Sequence, residues 1–137
     1  MKIIDGKNAV LGRLASTTAK QLLAGEEITI VNAEKIIITG SPDVTKIKYL
    51  ERRSRGSPQH GPFFPTKPDG MVMRAVRGML PYKTPRGRTA MKKLHIYVGV
   101  PEKVANEGME SAANRLVRSD FITVGEAAKT IGWKRSK

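Results

Sequence analysis

Cationic charge is packed into one stretch of this chain, and that stretch limits what the rest can fold into. Residues 46–93 hold 13 Lys and Arg against two acids, Glu51 and Asp69, a net of +11. The remaining residues hold 12 basic and 10 acidic side chains, a net of only +2. Like charges crowded together oppose compaction. A compact core therefore has to come largely from the two ends, with the middle laid over it. A polyanion would relieve the repulsion, so an anionic partner is expected.

The ends carry the pattern of an α/β domain. Lys2 to Asp5 predicts a strand, and Leu11, Leu14, Ala15, Thr18 and Leu22 predict a helix over roughly 11–24, stopped by Gly25. Ile28 to Asn32 predicts a second strand, Asn32 to Lys35 a turn, and Ile36 to Thr39 a third strand. Short runs rich in Ile and Val suit a sheet covered on both faces. His95 to Val98 predicts a fourth strand. Met109, Ala112, Ala113 and Leu116 predict a weak helix. Thr123-Val124-Gly125-Glu126 has the form of a capping box, with Gly132 as the stop of the last helix.

The middle reads differently. Ser41-Pro42 predicts a helix start with the hydroxyl as cap, running to about Arg53 and burying Val44, Ile47 and Leu50. Four prolines and interspersed glycines argue against regular structure over residues 53–70. A stretch of that length in a small domain is usually functional or disordered. A helix over about 70–80 groups Val72, Val76, Met79 and Leu80, with Arg74 and Arg77 opposite. Thr84-Pro85 opens another helix through Lys93, with Ala90, Met91 and Leu94 inward.

Strands alternating with helices imply a three-layer α/β/α domain with a small, mainly parallel four-stranded sheet. The basic segment is its helical and loop extension. At 137 residues one domain, 1–137, is expected. There is no cysteine, so neither disulfides nor a thiolate zinc site can form, and the two histidines lack ligand spacing. No signal peptide or membrane-spanning run is read from the sequence, so a cytoplasmic protein is expected. No paired carboxylates, no Ser/His/Asp set and no cofactor motif stand out, so neither catalysis nor a cofactor is expected. Asp5 and Asp120 have nothing beside them in sequence to make them acid or base.

Three sets of residues are candidates for phosphate contact. Arg74, Arg77, Lys83, Arg86, Arg88, Lys92 and Lys93 occupy the two helices with no acid from Gly70 to Leu94. Gly78 and Gly87 there would permit close backbone approach. The proline-rich arm and the helix end before it carry Arg52, Arg53, Arg55, His60 and Lys67. Phe63 and Phe64 in the arm either stack on unpaired bases or pin the arm to its own domain. The loop Asp5 to Arg13 sits where nucleotide folds hold phosphate, but it is neither G-x-G-x-x-G nor a P-loop, and its glycines could simply allow a turn. Lys7 and Arg13 could still meet a phosphate there.

GRLASTTAKQLLAG (Gly12 to Gly25), IVNAEKIIITG (Ile30 to Gly40) and AVRGMLPYKTPRGRTAMKKLHIYVG (Ala75 to Gly99), in that order, resemble the ribosomal protein L13 family of the large subunit. HGPFFPTKPDG and the ending FITVGEAAKTIGW, with the short connection Gly25-Glu26-Glu27, resemble its archaeal and eukaryotic branch. The resemblance implies a non-catalytic, cytoplasmic ribosome component, one copy per ribosome. It would bind large-subunit rRNA beside neighbouring ribosomal proteins and act early in subunit assembly. By position it implies RNA contact at Lys83, Arg86, Arg88, Lys92 and Lys93; the tail Lys134 to Lys137 could add to it. Two other readings remain open: a nucleotide-dependent Rossmann-type enzyme using the first loop, and an RNA chaperone or messenger regulator outside the ribosome.

Overall fold

The computed structural model describes residues 1–112 and 119–135. Four strands form an all-parallel sheet: β1 (Lys2–Asp5), β2 (Ile28–Val31), β4 (Leu94–Ile96) and β5 (Glu110–Ser111), in spatial order β4-β2-β1-β5. β2 is central and all four of its residues are buried. That is why its sequence, Ile-Thr-Ile-Val, lacks the polar alternation of a half-exposed strand.

Strand parity sorts the side chains. Ile4 pairs in register with Ile30, and Ile30 with Ile96, so the three form one row, with Ile28 and Leu94 beside it. This row faces the main core, built with Leu14, Ala15 and Leu22 of α1 (Leu11–Leu23), Val72 and Val76 of α3 (Pro68–Gly78) and Ala90 of α4 (Pro85–Lys92). Ile3 and Val31 point to the other face, where Val104 of the short α5 (Glu102–Ala105) covers them. The layers on the two faces are thus unequal, one of long helices and one thin.

The remaining elements form a side wing. β3 (Ile37–Thr39) pairs antiparallel with β6 (Phe121–Thr123), and α6 (Val124–Thr130) follows at once. α6 packs on α2 (Pro42–Ser54), on α3 and on the 3-10 turn Ala33–Lys35. The capping box at its start is present: Glu126 N donates to Thr123 Oγ1 at 3.2 Å, and Thr123 N donates to Glu126 Oε2 at 3.4 Å. Each side chain satisfies a backbone N–H that the first helical turn leaves free.

Several expectations are corrected. The third apolar run is not a strand of the parallel sheet. Only a single bridge, Val10 to Ile37, ties it to the segment preceding α1. The fourth sheet strand is instead β5, inside the region expected to be helical around Met109 and Ala112; Ala113 and Leu116 lie outside the described residues. Pairing with β1 overrides the weak helical spacing there. Ser41 holds the cap position of α2, but its hydroxyl makes no cap bond; its carbonyl takes Thr45 N and Thr45 Oγ1, both at 3.0 Å. Most consequentially, α2 is turned around. Val44, Ile47 and Leu50 are 65%, 57% and 44% exposed, while Thr45 and Tyr49 face inward. Met79 is also exposed, because α3 ends at Gly78 and the chain turns away.

Candidate nucleic-acid interface

The proline-rich arm is more structured than its composition suggests. Ser57 and Gly61 exchange backbone bonds, N to O at 3.1 Å and 2.9 Å, closing a tight turn that carries His60 on its exposed side. The arm then returns to the body through Phe64, whose ring lies 5.8 Å from that of Tyr49. Phe63 is 62% exposed. The two alternatives for the aromatic pair are thus divided between them: Phe64 pins the arm and Phe63 is free to stack. The arm ends at Pro68, which opens α3 two residues earlier than expected. Asp69 in that first turn complements the positive helix end.

The connection between α3 and α4 is equally tight. Thr84 Oγ1 accepts from Gly87 N at 3.3 Å and donates to Pro81 O at 2.7 Å. Gly87 is required here, because a Cβ would strike the Pro81 carbonyl. Gly78 is not required in that sense, since a Cβ there would meet open space. The turn and the start of α4 bring Lys83, Arg86 and Arg88 within six consecutive residues, all exposed, with Lys92 exposed at the far end of α4. Arg86 and Lys93 line a groove with Leu22 and Gly25 at the end of α1. Lys93 Nζ donates to the Gly25 carbonyl at 3.2 Å, so this lysine helps end α1.

Three cations of the segment are partly engaged by the protein. Lys93 is one. The Arg52 guanidinium lies 5.4 Å from the Tyr49 ring centroid and 6.0 Å from that of Phe64. The Arg77 guanidinium lies 4.6 Å above Tyr82. A ring under a guanidinium holds it by the ring quadrupole while leaving its N–H groups unused. The sequence reading missed Tyr49 and Tyr82 as platforms. Tyr49 stands one helical turn before Arg52, a spacing that could have shown it. Burial pushes the Tyr49 hydroxyl pKa above 10.0, against a smaller downward pull from Arg52.

The other candidates lie open. Arg53, Arg55, His60 and Lys67 are exposed and Arg74 is half-buried. Among the described residues, no cation of residues 46–93 forms an ion pair; Lys2 pairs with Glu110, and His95 Nε2 lies 3.6 Å from Glu27 Oε1, both elsewhere. A solvated basic face would normally interleave acids, and here Glu51 and Asp69 pair with none of these cations.

The first loop is built for a different task. Gly6 N donates to Val31 O, Lys7 N to Asp5 Oδ1, Asn8 N to Lys35 O and Ala9 N to Gly6 O. Asp5 Oδ1 also accepts Asn32 Nδ2 at 2.8 Å, tying the ends of β1 and β2. A Cβ on Gly6 would sit 2.8 Å from Ile36 Cγ1. The amides of Gly6 to Ala9 are spent on the protein itself, and the loop follows neither glycine pattern that wraps backbone around a phosphate, so it is not built as a nucleotide cradle. Among the described residues no cluster of His, Asp and Glu could hold a metal, and no helix is long and apolar enough to cross a membrane. Ser136 and Lys137 of the basic tail lie outside the described residues.

Comparison with known proteins agrees with the geometry. Residues 1–103 match the model of the family described as Ribosomal protein L13. The large ribosomal subunit protein uL13 of Methanosarcina barkeri is 49% identical over 139 residues, covering 98% of this chain and 99% of that protein. That of Methanococcus maripaludis is 48% identical with the same coverage, and that of Methanopyrus kandleri is 44% identical, covering 96% of this chain and 87% of its own length. The chain belongs to the ribosomal protein L13 family, the uL13 proteins in their archaeal form, a family without catalytic activity.

Proposed function

We propose that this protein is a structural constituent of the large ribosomal subunit that clamps large-subunit rRNA through residues 46–93 and supports early subunit assembly. The observation that carries the reading is the segregation of charge: 13 cations on one segment, unpaired with acid among the described residues, against near-neutral flanks. The α/β body is a rigid platform. Lys83, Arg86, Arg88 and Lys92 on the tight turn and α4 meet phosphates, and Arg74 and Arg77 extend the strip along α3. Arg52, Arg53, Arg55, His60 and Lys67 hold a second RNA element along α2 and the arm. Guanidinium forks bridge phosphates of two strands better than ammonium groups do. Recognition is of shape, because the major groove of A-form RNA is too narrow for side chains to read.

No catalytic step is needed, and a first loop that lacks both nucleotide-binding glycine patterns and spends the amides of Gly6 to Ala9 on the protein itself supports this over a nucleotide-dependent enzyme. The test is sedimentation together with salt titration. The protein should travel with large subunits in a sucrose gradient, and its affinity for an rRNA fragment should fall steeply with salt. Flat salt dependence, or a protein that stays at the top of the gradient, would overturn the reading.

A further inference from the structure

The outward face of α2 differs from the rest of the basic segment. At about 100° per residue, Val44 and Leu50 lie roughly 60° to either side of Ile47. Asp43 and Glu51 lie within about 40° of Ile47 by the same count, so the two carboxylates sit inside the apolar stripe. Lys46 and Arg53 border it on one side, and Lys48 and Arg52 on the other, at roughly 100° to 140° from Ile47. Tyr49 and Thr45, on the opposite side, are the residues that anchor the helix to the body. Neither Asp43 nor Glu51 forms an ion pair among the described residues.

We propose that this face, Asp43, Val44, Ile47, Leu50 and Glu51, is a docking site for a neighbouring protein whose contacting segment presents apolar side chains with Lys or Arg set among them, opposite Asp43 and Glu51, and not at the rim, where Lys46, Lys48, Arg52 and Arg53 already stand. Aliphatic groups give nothing to a phosphate backbone, and two carboxylates in their midst repel it, so RNA does not fit. A second copy does not fit either, because the same carboxylates and the same flanking cations would face one another. A basic segment with apolar anchors satisfies both features at once: it covers the stripe and pairs the acids. The inference depends on the chain being seated in a subunit with protein neighbours, and not on which cations hold RNA.

The test places a photo-crosslinking phenylalanine analogue at position 47 and, separately, at position 88, in protein assembled into large subunits. The expected result is a protein adduct from position 47, mapping to a peptide that combines Lys or Arg with apolar residues. Adducts from position 47 to RNA, to a second copy or to nothing would overturn the docking site. An RNA adduct from position 88 supports the function proposed above, and its absence would count against that reading without touching the docking site. Protein missing from the subunits altogether would overturn both. As a second measurement, V44Q/I47Q/L50Q should be out-competed by the unmodified chain during subunit assembly on the order of tenfold. Its affinity for an isolated rRNA fragment should be unchanged; equal incorporation would also overturn the docking site.

Discussion

Replacing Lys83, Arg86, Arg88 and Lys92 together with Gln should change the salt dependence of RNA binding by a calculable amount. All four are exposed, and none bonds to the protein through its side chain among the described residues, so their removal leaves the fold intact. If each meets one phosphate, the slope of log affinity against log salt should lessen by about 0.7 to 0.9 per residue, roughly three units in all. Between 50 and 200 mM salt those four contacts alone correspond to about a hundredfold of affinity. The variant should therefore bind far more weakly at low salt, and the two curves should converge as salt rises. Filter binding to an rRNA fragment across a KCl series measures this, with a thermal melt to verify the fold. The decisive control removes the same charge elsewhere: Lys20, Lys35, Lys103 and Lys129, all exposed and all in the flanks, changed to Gln. Both variants fall from +13 to +9. If net charge alone governed binding, the two would behave alike, and the claim that position matters would be refuted. It would equally be refuted if the first variant kept its slope within one unit.

Other expectations concern the fold and the arm. Ile30→Ala, at a fully buried position of the central strand, should cost about 2–5 kcal/mol in a urea melt, whereas Ile47→Ala on the outward face of α2 should stay within about 0.5 kcal/mol. Gly87→Ala should destabilise the protein and weaken RNA binding, because its Cβ collides with the Pro81 carbonyl; Gly78→Ala, at a helical position with open space around it, should hold or slightly raise the melting temperature. Phe64→Ala should loosen the arm, seen as faster amide exchange over residues 55–67, while Phe63→Ala should leave exchange alone and lower RNA affinity. The raised Tyr49 pKa means the folded state keeps a proton that the unfolded chain releases near pH 10. Its stabilisation is present below that pH and is lost as pH rises through the folded value. Urea melts at pH 8 and pH 10.5 should show a larger loss for the natural chain than for Tyr49→Phe.

Placement of the basic segment explains how so lopsided a chain stays folded. Val72, Val76 and Ala90 on its two later helices are buried against the sheet, so the apolar side of each helix serves the core while the charged side faces out. Arg52 and Arg77 are held on rings instead of in ion pairs. A ring positions a guanidinium without neutralising it, so the charge is kept in place for an anion from outside. A carboxylate in the same position would compete with that anion. The absence of acids from Gly70 to Leu94 is thus a requirement of the proposed function, and it costs the free protein some self-repulsion.

What could be read without coordinates follows from how much each pattern constrains. The β1-α1-β2 unit was legible because α1 carries an unbroken helical period between two short apolar runs, and burial confirms Leu14, Ala15, Thr18 and Leu22 on one side of α1. The capping box at Thr123 and the start at Thr84 were legible because both are local chemistry. β5 was not: two residues, Glu110 and Ser111, have no periodicity to detect, and only pairing with Ile4 and Asp5 makes them a strand. The fate of α2 shows the deeper limit. Val44, Ile47 and Leu50 form an apolar stripe at helical spacing, and such a stripe says that something covers it, not what does. In a chain that folds alone, the default cover is its own core. Here Tyr49 and Thr45 anchor the helix instead, Tyr49 against Phe64 of the arm. Two carboxylates sharing the direction of the stripe were the sign that it belonged to a surface, because Asp43 and Glu51 could not have entered a core without partners. A hydrophobic period is therefore best weighed together with the charges that share its direction before it is assigned to the interior.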